Sequence, residues 1–273
     1  MKIGYRLLSI LICAIFFSAT TLPVLGNSKQ VENEATLLEE EGTYDVPGHP
    51  KLKVKIFVYH PKFAKGNNRK PKPSPTTPDL VCGLEDPDST AVVDPAGWHL
   101  PNGQWIYNLN TASVPRFVGS SNLSIISSNS FNTWAQTSVG STVNFIEGNT
   151  TSVNKAQYDA YNLITWGRVN SNAIAITYVW FFTDTGEIVQ ADTIFNNRYA
   201  WSWAGGSSTC AYLDMYDAQN ILVHELGHWV GLNDEYTQDY SHNSMYGYGS
   251  LTEAKKNTLT TGDILGLNLI YFQ

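Results

Sequence analysis

His224-Glu225-Leu226-Gly227-His228-Trp229-Val230-Gly231-Leu232-Asn233-Asp234 is the stretch from which the rest of the chain is read. Its pattern is H-E-x-x-H-x-x-G-x-x-D. In a helix, positions four apart share a face, so His224 and His228 can aim two imidazole nitrogens at one ion. Glu225 stands one step round, close enough to hold a water beside that ion without binding the ion itself. Gly231 can take the left-handed conformation that stops a helix and turns the chain back, bringing Asp234 to the same ion. Two imidazoles, a general base, a glycine turn and a third ligand are the parts of a zinc hydrolase site.

The bland alternative is a helix whose histidines are satisfied by ordinary hydrogen bonds. Its neighbours weigh against that. Asp217 is a plausible N-cap, and Ile221, Leu222, Val223, Leu226, Trp229 and Val230 make the helix too apolar for the surface. Polar side chains inside such a helix need partners, because each unpaired one costs a few kcal/mol. Asp239 and His242 are the other candidates for third ligand.

Downstream, Asn243-Ser244-Met245-Tyr246-Gly247-Tyr248-Gly249-Ser250 follows. Together with the long histidine motif it resembles the metzincin metalloproteases, most closely their matrixin-like microbial branch. Gln104–Tyr107 resembles the family's first strand, Ser130–Trp134 its first helix, Ile188–Asn196 the strand before the metal helix, and Thr261–Tyr271 its closing helix. The resemblance covers residues 91–273 and is carried mainly by the C-terminal motifs. It implies that Met245 lies in a turn beneath the metal without ligating it, and that Tyr246 and Tyr248 line the pocket just after the cleaved bond. It also implies a twisted five-stranded mixed sheet, two main helices and a C-terminal helix, with an extended peptide adding to a sheet edge within Ala173–Trp180. The usual third histidine is Asp234 here, as in snapalysin-like members, and a carboxylate is an ordinary zinc ligand. No histidine stands between His99 and His224, so the second, structural zinc site of the animal relatives lacks its histidines. Calcium has no sequence support, since Asn196-Asn197-Arg198-Tyr199 replaces the family's acidic run.

The 273 residues leave room for one catalytic domain and a modest N-terminal region. Residues 1–26 read as a secretory signal: Lys2 and Arg6, an apolar stretch from Leu7 to Phe17, then a small-residue site at Val24-Leu25-Gly26. An exported, extracellular protein follows. Of its two remaining cysteines, Cys82 and Cys210, the simplest reading in an oxidising compartment is a disulfide. Cys82-Gly83-Leu84-Glu85-Asp86-Pro87-Asp88 also loosely resembles the cysteine switch of matrix metalloproteinase propeptides, so a thiolate blocking the metal is the competing reading. A net charge of −7 argues against nucleic acid or an anionic membrane as partner. A monomer acting on protein or peptide substrates is expected.

Lys51–Tyr59 alternates lysine with apolar residues, the mark of a half-buried strand. Asn67 to Pro78 is basic and proline-rich, an extended spacer. Residues 27–90 are thus either a tether or a propeptide removed by cleavage. Beyond residue 91, strands are expected at 105–109, 143–146, 163–166, 173–182 and 187–195, and a helix at 122–138. The order gives an α+β, or mixed α/β, fold. Of the tryptophans, Trp201 and Trp203 are the pair placed to flank a substrate.

The leading expectation is a secreted zinc-dependent endopeptidase with Glu225 as general base. Its competitors are a thermolysin-like peptidase, for which Glu253 would be the third ligand, and an exported zinc-binding interaction or adhesion module without turnover.

Overall fold

In the computed structural model, which describes residues 37–62, 78–169 and 172–272, the lysine–apolar alternation forms the longest strand. Strand β1 (Gly42–Val46) pairs with it as an antiparallel hairpin, and β2 itself runs His49–Pro61. Leu52, Val54, Ile56 and Val58 pack on one face and Phe57 and Tyr59 on the other, all buried. The expected half-buried strand is therefore covered on both faces.

Next come β3 (Leu80–Cys82), β4 (Gly103–Leu109), helix α1 (Leu123–Ala135) and β5 (Val143–Glu147). Strands β6 (Leu163–Gly167), β7 (Ala175–Phe182) and β8 (Ile188–Asn196) follow. The last third holds β9 (Trp201–Ser202), β10 (Cys210–Tyr212), β11 (Tyr216–Asp217), helix α2 (Ala218–Trp229), β12 (Tyr248–Gly249) and helix α3 (Thr261–Tyr271). Helix α1 stops short of the expected Ser138. Thr137 is extended, and its side chain accepts the Val139 N–H to open a separate single turn, Ser138–Ser141.

The main sheet has the order β1-β2-β7-β8-β6-β4-β5, with β12 on β2. Strands β4, β5, β6 and β8 run parallel, while β7 is antiparallel to β8 and β2 antiparallel to β7. This is a mixed α/β protein with a mixed sheet. The expected five strands correspond to β7-β8-β6-β4-β5. Eight are present because the N-terminal hairpin and β12 extend the sheet past β7. The edge expected to be open between Ala173 and Trp180 is consequently filled: β2 pairs along β7 from Leu52 opposite Phe182 to Tyr59 opposite Ala175. From Leu37 onward the described residues form one compact unit.

Cys82 and Cys210 are joined by a disulfide, facing each other across the β3–β10 pair. The Cys82 thiol is consumed in that bond, and the switch reading falls. The leader and residues 67–77 of the proline-rich segment lie outside the described residues. Among the described residues no helix is long and apolar enough to cross a membrane.

Helix α2 starts as its sequence indicated. The Asp217 carboxylate accepts the N–H groups of Gln219 at 3.1 Å and Asn220 at 3.0 Å, and its second oxygen accepts that of Ala204 at 2.9 Å. With the cap almost fully buried, Asp217→Ala strands three donors at once. The loss should reach the upper end for caps, about 2 kcal/mol, read as a shift in the denaturant midpoint with unchanged slope.

Candidate metal centre

Every side chain of α2 is buried, including His224, Glu225 and His228. The helix ends at Gly231, whose φ of +104° is open to glycine and strained for other residues. A Cβ there would also come within 2.4 Å of the Trp98 carbonyl oxygen. The chain reverses through this residue, and the Leu232 N–H donates back to the Gly227 carbonyl at 2.9 Å. The turn carries Asp234 under the helix.

Two loop carbonyls orient the imidazoles. His224 Nδ1 donates to Ser244 O at 2.7 Å, and His228 Nδ1 to Leu232 O at 2.9 Å. A carbonyl only accepts, so each ring proton resides on Nδ1 and each Nε2 presents a lone pair. Those lone pairs face the Asp234 carboxylate: His224 Nε2 lies 3.2 Å from Oδ1 and His228 Nε2 lies 3.7 Å from Oδ2. Such distances suit an ion pair or hydrogen bond, but neither nitrogen carries a proton, and both Nε2 atoms and Asp234 Oδ1 are buried without a hydrogen-bond partner. Acceptors crowded against acceptors are repulsive unless a cation lies among them. All three ligand atoms fall within 4.8 Å of one another. Ligands at 2.0–2.1 Å around a small tetrahedral ion stand roughly 3.3 Å apart, so the donor set fits such an ion.

The charges agree with that arrangement. Burial strips water from His228 and pulls its pKa down to about 4, which keeps the ring neutral and able to ligate. Burial alone would raise Asp234, but positive charge at the His228 and His224 ring nitrogens, together with the Tyr236 hydroxyl, outweighs it and holds the carboxyl below its usual range; with both rings neutral, a bound cation would have to supply that charge. Burial pushes Glu225 up to about 7, against the opposing pull of His224 and the hydrogen bond from Thr177. Thr177 Oγ1 donates to Glu225 Oε2 at 2.6 Å, which leaves Oε1 buried and unpartnered beside the cluster.

The remaining sequence candidates sort cleanly. Met245 is fully buried in the turn after the motif, with its neighbour Ser244 supplying the carbonyl for His224. Tyr246 is nearly buried, while Tyr248 is half-buried and pairs through β12 with His60 of β2. Asp239 and His242 are exposed and take no part. Glu253 is engaged with Lys256 and Asn220, so it is not a third ligand. Trp201 is a core residue, its indole donating to Asn196 O and packed on Trp166 and Phe195, and Trp203 donates to Gln219.

Four functional neighbours were not singled out from sequence. Thr177 is one, and a lone threonine amid the apolar run of β7 was its signal. Tyr236, whose hydroxyl lies 3.3 Å from Asp234 Oδ2 and 3.1 Å from Glu41 Oε2, had none. The others are Phe57, stacked on His228 at 3.7 Å between ring centres, and Tyr59, stacked on His224 at 3.9 Å. No family model matches the chain, and the comparison with curated proteins found no match.

A further support lies outside the motif. The Asp263 carboxylate, in the first turn of α3, accepts the N–H of Ser244 at 2.9 Å, of Met245 at 3.4 Å and of Thr260 at 2.9 Å. It thus pins the turn that orients His224. Asp263→Asn places an amide against these donors; the expected loss is about 3 kcal/mol in denaturant unfolding, with a fall of 10–100-fold in divalent-ion affinity by calorimetry.

Proposed function

We propose that this chain is an exported zinc-dependent endopeptidase, resembling the matrixin-like metzincins and using an aspartate as third ligand. The observation that carries the reading is the buried, unpartnered cluster of His224 Nε2, His228 Nε2 and Asp234 Oδ1 with Glu225 Oε1 beside it. His224, His228 and Asp234 would hold the ion. When bound, zinc lowers the pKa of a water towards neutrality and polarises a carbonyl.

The chain's own residues do the rest. Glu225 takes a proton from the attacking water through Oε1, while Thr177 holds Oε2 in place. The water oxygen bonds to the peptide carbon, the C–N bond breaks, and Glu225 returns the proton to the departing amine. Met245 forms the floor without ligating. Tyr248, opposite His60 in the β12–β2 pair, would line the pocket just after the cleaved bond, and the Cys82–Cys210 disulfide agrees with an oxidising, extracellular setting.

A second reading, a metal-holding module without turnover, is favoured by one observation: the three motif side chains have no exposure at all. The two are separated by assaying protein from the medium of an exporting host, both as secreted and after limited trypsin digestion followed by trypsin inhibitor. Expected are one zinc per chain by mass spectrometry and chelator-sensitive cleavage of casein. Glu225→Gln should retain zinc and lose activity by about 10²–10⁴-fold, while Asp234→Ala should lose zinc itself. Casein cleavage that persists in Glu225→Gln or after zinc removal overturns the peptidase reading.

A further inference from the structure

Thr177 and Thr193 stand opposite each other on β7 and β8, in rows that are otherwise apolar. Ala175 and Val179 flank the first, Ala191 flanks the second and Phe195 follows it, all packed into the core that includes α2. Both threonines are fully buried. Valine would fill the same space without the cost of burying a hydroxyl, so two threonines here call for partners. They have them. Trp229 Nε1 donates to Thr193 Oγ1 at 3.1 Å, the two hydroxyls lie 2.7 Å apart, and Thr177 Oγ1 donates to Glu225 Oε2 at 2.6 Å.

This series of bonds returns to the helix it leaves. Trp229 and Glu225 both belong to α2 and lie four residues apart, so they share a face one turn apart. An indole N–H only donates, and each hydroxyl has one proton to give. Donation therefore runs one way, from Trp229 to Thr193 to Thr177 to Glu225. In the opposite sense the Thr193 proton would be left buried without an acceptor. Glu225 Oε2 is thereby held as an acceptor, while Oε1 stays buried and unpartnered. Each donor in such a series polarises the next, so the last bond is stronger than a lone hydroxyl would make it.

We infer that Thr193 and Trp229 are positioning residues for Glu225: acting through Thr177, they fix its carboxylate by Oε2 and leave Oε1 as the one oxygen free to exchange a proton with the attacking water. The role of Glu225 as base rests on the peptidase reading; the series of hydrogen bonds does not. A plain fastening of helix to sheet would need the bond from Trp229 to Thr193, but would not couple that bond to what stands at position 225.

The test uses the zinc-loaded chain, prepared as for the casein assay above. Thr193→Val keeps the shape and breaks the series, whereas Thr193→Ser keeps the hydroxyl and loses the methyl. Expected in Thr193→Val is a fall in kcat of about 10–100-fold with KM and zinc content unchanged, most of it recovered in Thr193→Ser. Equal losses in the two variants, or a loss carried by KM or zinc, overturn the positioning role. A second readout needs no turnover. In full-length protein labelled with heavy-nitrogen tryptophan, the Trp229 indole gives the NMR signal that Trp229→Phe removes. Glu225→Gln should move its proton upfield, because a neutral amide draws less on the series than a carboxylate does. In a Thr193→Val background the same change should leave it in place. An indole proton that ignores Glu225→Gln, or follows it equally in both backgrounds, overturns the coupling. Coupling without casein cleavage in any preparation would sink the peptidase reading and leave the series standing.

Discussion

Three lone pairs aimed at one point in a dry interior are the constraint on which this structure turns. His224 Nε2, His228 Nε2 and Asp234 Oδ1 cannot satisfy one another, because each is an acceptor. Buried groups left without partners cost about 1–3 kcal/mol apiece, a large part of the 5–15 kcal/mol by which ordinary domains are stable. A cation at their focus would convert that cost into cohesion. The loops that supply Ser244 O and Leu232 O therefore serve the site by fixing which nitrogen of each ring carries the proton.

The scaffold around this point is correspondingly stiff. Asp217 holds the beginning of α2, Gly231 its end, and Asp263 ties α3 to the turn at Met245. The indoles of Trp134, Trp98 and Trp229 donate to Val223 O, His228 O and Thr193 Oγ1, fastening the helix to α1, to the segment before β4 and to the sheet. A candidate ligand set built this way would be organised before any ion arrived, with little conformational freedom left to lose on binding.

The local parts of this were legible in the sequence because local chemistry dictates them. An H-E-x-x-H spacing sets two rings on one face, a glycine past the helix end marks a reversal, and an aspartate before the first apolar turn marks a cap. The strands after residue 103 were legible from their apolar runs. What escaped was long-range pairing. The alternation of residues 51–59 identifies a strand but carries no record of which edge it joins, and β7 offers the same backbone groups to any extended segment. Tyr236 and Asp263 escaped likewise, since each acts through a contact that exists only after the chain has folded back. The two cysteines left two readings open until β3 and β10 were seen side by side.

The position of that crosslink has a consequence for reversibility. It anchors the chain at Cys82, beyond the hairpin, so β1 and β2 hang on the body through a single covalent connection. While that connection is whole, the hairpin meets the edge of β7 at an effective concentration of about millimolar order. Once it is severed, the same strand is a dilute free peptide, and rebinding is lost to diffusion while the remaining polypeptide stays stapled in place. A graded equilibrium becomes a one-way commitment.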